Sequence, residues 1–338
     1  MLILRGPEVA SLLTGRELEI INAVRMAYET HAQGDSSLPH STFLRFPNCP
    51  RDRIIALPAY LGGEWEIAGI KWVASFPGNL ELGMDRASAL VVLNSSQTGR
   101  PEAIIEGSLI SAKRTAASAA LAAQWLHGDR ETNCVGLVGC GLINFEIVRF
   151  LLPIFPEIKR LVIYDLDIAR TEQFRRKCQE MFGVLEVEIA KELKATLKRS
   201  SLISFATTAN IPHIKDISEF SPGSTILHIS LRDLSPQIII SCDNVVDDID
   251  HVCRAQTSVH LAEQLTGNRE FLRCTIADVL MGKTASRRDA ESIVVFSPFG
   301  LGVLDLAVAD FVRKLGLAQG KGTMIGSFLP EPWAENHH

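Results

Sequence analysis

The chain has 338 residues, enough for two ordinary domains. Apolar residues make up 46% and charged ones 22%, with a formal net charge of -5; nothing here supplies the basic excess that nucleic acid or an anionic membrane would need. Seven scattered cysteines form no C-x-x-C pair, the N-terminal MLILRGPEVASLL is broken by Arg5, and no apolar run is long enough to span a bilayer, so a reduced, cytoplasmic protein is expected rather than a disulfide framework or an exported chain.

In chain order, Glu17–His31 reads as an amphipathic helix, with Ile20, Ile21, Val24, Met26 and Ala27 near helical spacing. Leu38–Arg53, rich in proline, is expected as loop or irregular strand, followed by strands at Ile67–Ser75 and Ala87–Asn94 and an Ala-rich helix at Ser108–Gln124. This first α+β region gives way, near His127-Gly128-Asp129, to a different rhythm. Short apolar runs at Cys134–Val138, Leu161–Tyr164, Ser201–Phe205, Thr225–Ile229 and Asn244–Val246 alternate, at first, with helical segments such as Leu142–Leu152 and Ile168–Phe182. Strands alternating with helices indicate βαβ units and a parallel sheet. A strand at Ile293–Phe296 and a helix at Leu301–Leu317 follow, and a chain that returns to its first lobe would carry both termini there.

The sharpest local pattern is Gly139-Cys140-Gly141 between a strand and a helix. The first glycine permits the tight turn, the second lets a pyrophosphate approach the backbone, and the helix N-terminus supplies unpaired N–H groups. Asn144 replaces the third glycine of the usual fingerprint, so looser or shifted packing of this helix is expected. The next strand ends at Asp165, 26 positions after Gly139, where a carboxylate would bind a ribose hydroxyl and repel the 2′-phosphate of NADP. A Rossmann-type domain binding NAD is therefore expected.

Several charged residues stand in apolar surroundings. Lys71 lies in the strand AGIKWV, where solvent is the commoner destination and a cleft the other. Arg114 sits among small residues on its helix, suited either to a fixed anion or to an internal salt bridge. Asp233 follows the strand that ends at His228, so it is a candidate acid/base or a loop cap. His251 beside Asp247, Asp248 and Asp250 matches no metal motif; a solvated acidic loop and no metal are expected.

Gly69-Ile70-Lys71, Gln97-Thr98-Gly99-Arg100-Pro101, Arg114-Thr115-Ala116-Ala117, Gly139-Cys140-Gly141 and Leu304-Asp305-Leu306-Ala307 together resemble the ornithine cyclodeaminase/μ-crystallin family along nearly the whole chain. Phe43–Pro47, Ile54–Gly62, Lys71–Pro77 and His228–Pro236 look like one branch of it, the N-(2-amino-2-carboxyethyl)-L-glutamate dehydrogenases of siderophore and peptide-antibiotic pathways.

The resemblance implies an NAD-dependent dehydrogenase acting on a CH–NH bond, with 2-oxoglutarate and L-2,3-diaminopropionate as products and a companion synthase upstream. It also implies a homodimer and an α/β fold of two domains. Residues 1–128 and 311–338 would form the α+β substrate and dimerisation domain, and 129–310 the Rossmann domain. Arg45, Lys71 and Arg114 would hold substrate carboxylates, while Lys71 and Asp233 would share the proton transfers. Arg86, Thr115, Gly139, Gly141, Leu142, Ile143, Asp165, Thr207, Ser230 and Arg232 would contact the cofactor. Ile143 stands where many members carry Gln, and Arg86 where cyclodeaminases carry Thr. A cyclodeaminase, a ketimine or imino-acid reductase and a crystallin-like NAD(P)H-binding protein are the other readings.

Overall fold

A computed structural model describes residues 1–183 and 185–331. The chain forms two compact units: Met1–Arg16, Gln33–Ser111 and the chain from Gly302 onward make the first, Glu17–Ala32 and Ala112–Leu301 the second. The cuts fall elsewhere than 128/129 and 310/311. Helix Glu17–Ala32 and most of helix Ser108–Leu126 group with the second unit, and all of helix Gly302–Ala318 with the first. Burial explains this. The apolar stripe of Glu17–Ala32 is buried at Ile20, Ile21, Val24, Ala27 and Tyr28, and the Tyr28 hydroxyl bonds Ser118 at 2.8 Å, stapling the two helices.

The first unit is built on strands β1 (Leu2–Leu4), β2 (Ser36–Ser37), β3 (Thr42–Phe46), β4 (Cys49–Leu61), β5 (Ile67–Ser75), β6 (Ala87–Ser95) and β7 (Pro101–Glu106). Among the described residues their order is Thr323–Met324, β1, β7, β6, β5, β4, β2, with β3 also on β4. Pairing is antiparallel except between β1 and β7. The expected loop at Leu38–Arg53 is instead largely a hairpin, β3 pairing with β4 from Thr42↔Ala56 to Phe46↔Cys49. Pro47 falls in its turn and Pro50 at the exposed start of β4, where a missing N–H is tolerated. Period-two burial places Leu57, Leu61, Lys71 and Leu93 on the face covered by Gly302–Ala318. The other face carries Trp72 and Leu90 exposed, among apolar neighbours.

The second unit holds β8 (Cys134–Val138), β9 (Arg160–Tyr164), β10 (Glu186–Ile189), β11 (Leu202–Phe205), β12 (Thr225–His228), β13 (Asp243–Val246), β14 (Leu272–Thr275) and β15 (Val294–Ser297). All pair in parallel, in the order β10-β9-β8-β11-β12-β15-β13-β14. Every residue of β8, β11, β12, β13 and β15 is buried, as a parallel sheet covered on both faces requires. The order reverses between β8 and β11, the switch point where an α/β sheet takes its ligand beyond the strand ends. No helix among the described residues is long and apolar enough to cross a membrane.

Candidate active site

At the switch point β8 runs into Gly139 at φ +93, which favours glycine, and a Cβ there would meet the Ala206 carbonyl at 2.5 Å. A Cβ on Gly141 would meet no protein atom within 4 Å, so protein packing does not demand this glycine, whereas a ligand resting on the backbone would. Helix Leu142–Leu151 starts directly after it, with Leu142 exposed and Ile143 half-buried.

Asn144 corrects the expectation of looser packing. Fully buried, it donates to the Val138 and Gly139 carbonyls at 3.0 and 2.6 Å and accepts from Ser204 Oγ at 2.7 Å. The missing third glycine is thus replaced by a polar staple that ties the helix to β8 and β11. Asp165 closes the loop from the other side, accepting from the Cys140 N–H at 2.8 Å and the Asp167 N–H at 3.0 Å.

Beyond β11 and β12 the chain gathers Thr207, Ser230 and Asp233. Asp233 is fully buried and accepts from Thr207 at 2.5 Å and from Ser230, while its N–H donates to His228 Nε2 at 3.1 Å. Burial alone would push this carboxyl up; His228, Ser230 and Thr207 outweigh it and hold the group below its usual range. Between them Leu231 adopts φ +66, backbone strain on a branched residue of the kind found at functional sites. Arg232 donates to the Ala255 carbonyl at 2.7 Å.

Arg114 is buried on the same unit, and Thr115 half-buried beside it. Gly300 lies so close that an added Cβ would come within 2.8 Å of an Arg114 Nη atom. The Gly300 peptide is held in turn by Asp247, which accepts from the Phe299 and Gly300 N–H groups at 2.8 and 2.7 Å. The expected solvated acidic loop is therefore partly interior. Asp247 and His251 are buried, and Asp248 caps the following turn, bonding His251 Nδ1 at 2.9 Å and His31 at 3.2 Å. Its place at the inner end of buried β13 is the reason. Among the described residues no group of three or more His, Cys, Asp or Glu is placed to hold a metal ion.

The first unit carries the other expected residues. Lys71 does not take the solvent face: it is 2% exposed, pairing with fully buried Asp305 at 2.7 Å and reaching Ser111 at 3.3 Å. Its strand parity turns it toward helix Gly302–Ala318, where Asp305 waits. Arg45 stands directly opposite Arg53, which stands opposite Ser75. Cross-strand partners share a face, and like charges there are unfavourable. Arg86, just before β6, reaches the Ser75 hydroxyl at 3.5 Å. Arg53 is absent from the expected set because its segment reads as loop; once the hairpin exists, alternation from Leu57 exposes its face. Asp305 is legible only as a family motif, since nothing in its helix announces a partner on β5.

The model of the ornithine cyclodeaminase/mu-crystallin family matches residues 4–319. N-((2S)-2-amino-2-carboxyethyl)-L-glutamate dehydrogenase of Staphylococcus aureus is 28% identical over 316 residues, covering 91% of this chain and 93% of that protein. Alanine dehydrogenase of Archaeoglobus fulgidus is 29% identical over 335 residues, covering 97% and 98%. A solved archaeal alanine dehydrogenase dimer with bound NAD has a TM-score of 0.86 to this fold at 27% identity, covering 97% of this chain and 99% of that one. With a match spanning both units, the chain belongs to the ornithine cyclodeaminase/mu-crystallin family.

Proposed function

We propose that this protein is an NAD-dependent dehydrogenase that oxidises the secondary amine of N-(2-amino-2-carboxyethyl)-L-glutamate, the resulting imine being hydrolysed to L-2,3-diaminopropionate and 2-oxoglutarate. The observation that carries this reading is the Arg45–Arg53 pair on one sheet face, in a chain similar over 91% of its length to an enzyme of that name. Two arginines at paired cross-strand positions suit an acidic substrate and oppose one bearing a second ammonium.

The cofactor fits the residues present. Gly139, Gly141 and the first N–H groups of Leu142–Leu151 would cradle the pyrophosphate, and Asp165 would take a ribose hydroxyl. Leu142, Ile143, Thr115, Thr207, Ser230 and Arg232 would line the rest. NAD bound there would supply the two-electron oxidant, a hydride acceptor facing the glutamyl Cα. Arg45 and Arg114 orient the substrate through carboxylates, which fixes the Cα–H direction. Lys71 passes a proton to Asp305 as it takes the amine proton, so that the ion pair as a unit serves as the base. Asp233 serves the hydrolytic step through the Thr207 and Ser230 hydroxyls that it fixes.

The exposed Trp72 and Leu90, on a sheet face that no helix covers among the described residues, support a homodimer packed there by a second copy. All seven cysteines are unbridged, in keeping with a cytoplasmic enzyme supplied by a synthase that joins the two amino-acid halves. A siderophore or peptide natural product is the natural destination of the diaminopropionate.

The test is NADH formation, followed by its near-ultraviolet absorbance, with the glutamate adduct, L-alanine and L-ornithine in parallel. Absorbance rising with the adduct alone, with 2-oxoglutarate among the products, is the expected result. Proline and ammonia from ornithine without net NADH would make the protein a cyclodeaminase. NADH from alanine alone would align it with the archaeal relative.

A further inference from the structure

The proposed substrate carries three carboxylates, and the first unit does not offer Lys71 as a free counter-charge, because Asp305 already balances it at 2.7 Å. On this unit Arg45 can take one carboxylate; another carboxylate needs a further cation. Arg86 is a cation without a carboxylate partner among the described residues. It is half-buried, its carbonyl is tied to the Phe76 N–H at 2.8 Å, and among the described residues its guanidinium reaches only the Ser75 hydroxyl, at 3.5 Å. Burial pulls its pKa below the usual arginine value. A guanidinium taken from water without a carboxylate partner is costly, and a ligand anion would remove that cost.

The register gives the anion a place. Arg45, Arg53 and Ser75 form one cross-strand row on β3, β4 and β5, and Arg86 meets that row at Ser75. Three arginines thus belong to one row at that end of the sheet, with the Arg45 guanidinium over the Phe43 ring 5.5 Å from its centre. Lys71 lies four residues back along β5, on the same face as Ser75, about 13 Å away at the usual strand rise. The arginine side chains of that row, together with the two-carbon arm of a glutamyl group, can cover part of that span.

We propose that Arg86, supported by Arg53, binds the side-chain carboxylate of the glutamyl moiety and sets the preference for an acidic substrate, in place of the cofactor contact expected from its sequence position. The assignment rests on the function proposed above and names its specificity-determining residue.

The experiment compares wild type, Arg86→Gln and Arg86→Lys on the tricarboxylate and on the analogue whose glutamyl side chain is the amide, with KM for NAD measured throughout. Arg86→Gln should lower kcat/KM for the tricarboxylate about 100-fold, the scale of a lost charge-assisted contact, while changing the amide analogue less than about threefold. Arg86→Lys should recover part of the loss, with KM for NAD and the melting temperature unchanged. Equal losses on both substrates would overturn the proposal in favour of a structural role. A rise confined to KM for NAD would overturn it in favour of the cofactor. If the wild type turns over neither adduct, the dehydrogenase reading fails, and binding alone then judges Arg86. Calorimetry should show L-glutamate bound at least about tenfold tighter than L-glutamine by wild type and equally by Arg86→Gln; no difference in the wild type would overturn the assignment as well.

Discussion

The first unit's sheet is antiparallel except at one ladder, with one face under a helix and the other apolar and open; the second unit's sheet is parallel throughout and buried on both faces. The two treat interior polar groups differently. In the first, charge is matched by charge, as in Lys71 with Asp305. In the second, ion pairs such as Arg273 with Asp243 and Lys113 with Glu146 stand beside polar groups satisfied by hydroxyls and main-chain groups: Asp233 by Thr207 and Ser230 next to His228, Asp247 by three N–H donors, Asn144 by two carbonyls and Ser204. The outcome differs even within the second unit: burial is outweighed at Asp233, which His228, Ser230 and Thr207 hold below its usual range, whereas it pushes Asp247 up despite its three N–H donors.

The largest expected effect breaks the ion pair. Lys71→Met leaves Asp305 buried without its counter-charge and should cost about 3–5 kcal/mol in urea unfolding, with turnover abolished. Lys71→Met with Asp305→Leu should recover most of the stability and none of the activity, because an apolar pair replaces an ionic one at similar volume. A double variant as unstable as the single one would show that the pair does not act as a unit.

The next prediction sets the second unit's neutral polar groups against that pair. His127 is 1% exposed, bonds Thr225 Oγ1 at 2.9 Å, and has its pKa pushed down from 6.5 to about 4 by burial, then by Arg287 and Arg130. Its folded pKa lies below its unfolded one, so the unfolded chain binds the extra proton first. Stability from this group is therefore full above pH 6.5 and is lost as pH falls toward about 4. At 1.36 kcal/mol per pH unit the loss is about 3 kcal/mol. Chemical unfolding at pH 7 and pH 5 should show the decline in wild type and a flatter profile in His127→Gln; identical profiles would assign the decline elsewhere.

How much of this was legible in the sequence follows the same division. The parallel sheet announces itself, since each buried strand is a continuous apolar run and Gly139-Cys140-Gly141 marks the turn after the first. Asp165 and Asp233 could be placed at strand ends by counting. The hairpin of β3 and β4 could not, because Pro47 and Pro50 carry loop signals that a turn and an exposed strand end tolerate locally. Losing the hairpin also hid Arg53. The staple at Asn144 was hidden for another reason. A departure from the glycine fingerprint reads as a packing defect until Ser204, 60 positions away, appears as its partner.

Asn144→Ala tests that staple. It removes two donor contacts to carbonyls and leaves the Ser204 hydroxyl buried without its acceptor, so a loss of about 2 kcal/mol in urea unfolding is expected. Adding Ser204→Ala should return part of it, since no orphaned hydroxyl then remains. Full additivity of the two substitutions would mean that the contact contributes nothing specific.

The smallest expected effect separates two duties of one carboxylate. Asp165 uses one lone pair on each oxygen for the N–H groups of Cys140 and Asp167, leaving a second pair on each for a ribose hydroxyl. Asp165→Asn keeps the shape, puts an amide donor against one of those N–H groups and removes the negative charge. If the residue only shapes the loop, affinity for NAD and NADP should weaken together. If it also reads the ribose, KM for NAD should rise by no more than about tenfold while the preference for NAD over NADP falls, because the repulsion toward a 2′-phosphate is gone. The ratio of the two KM values decides between the duties, since loop damage cancels in it and charge recognition does not.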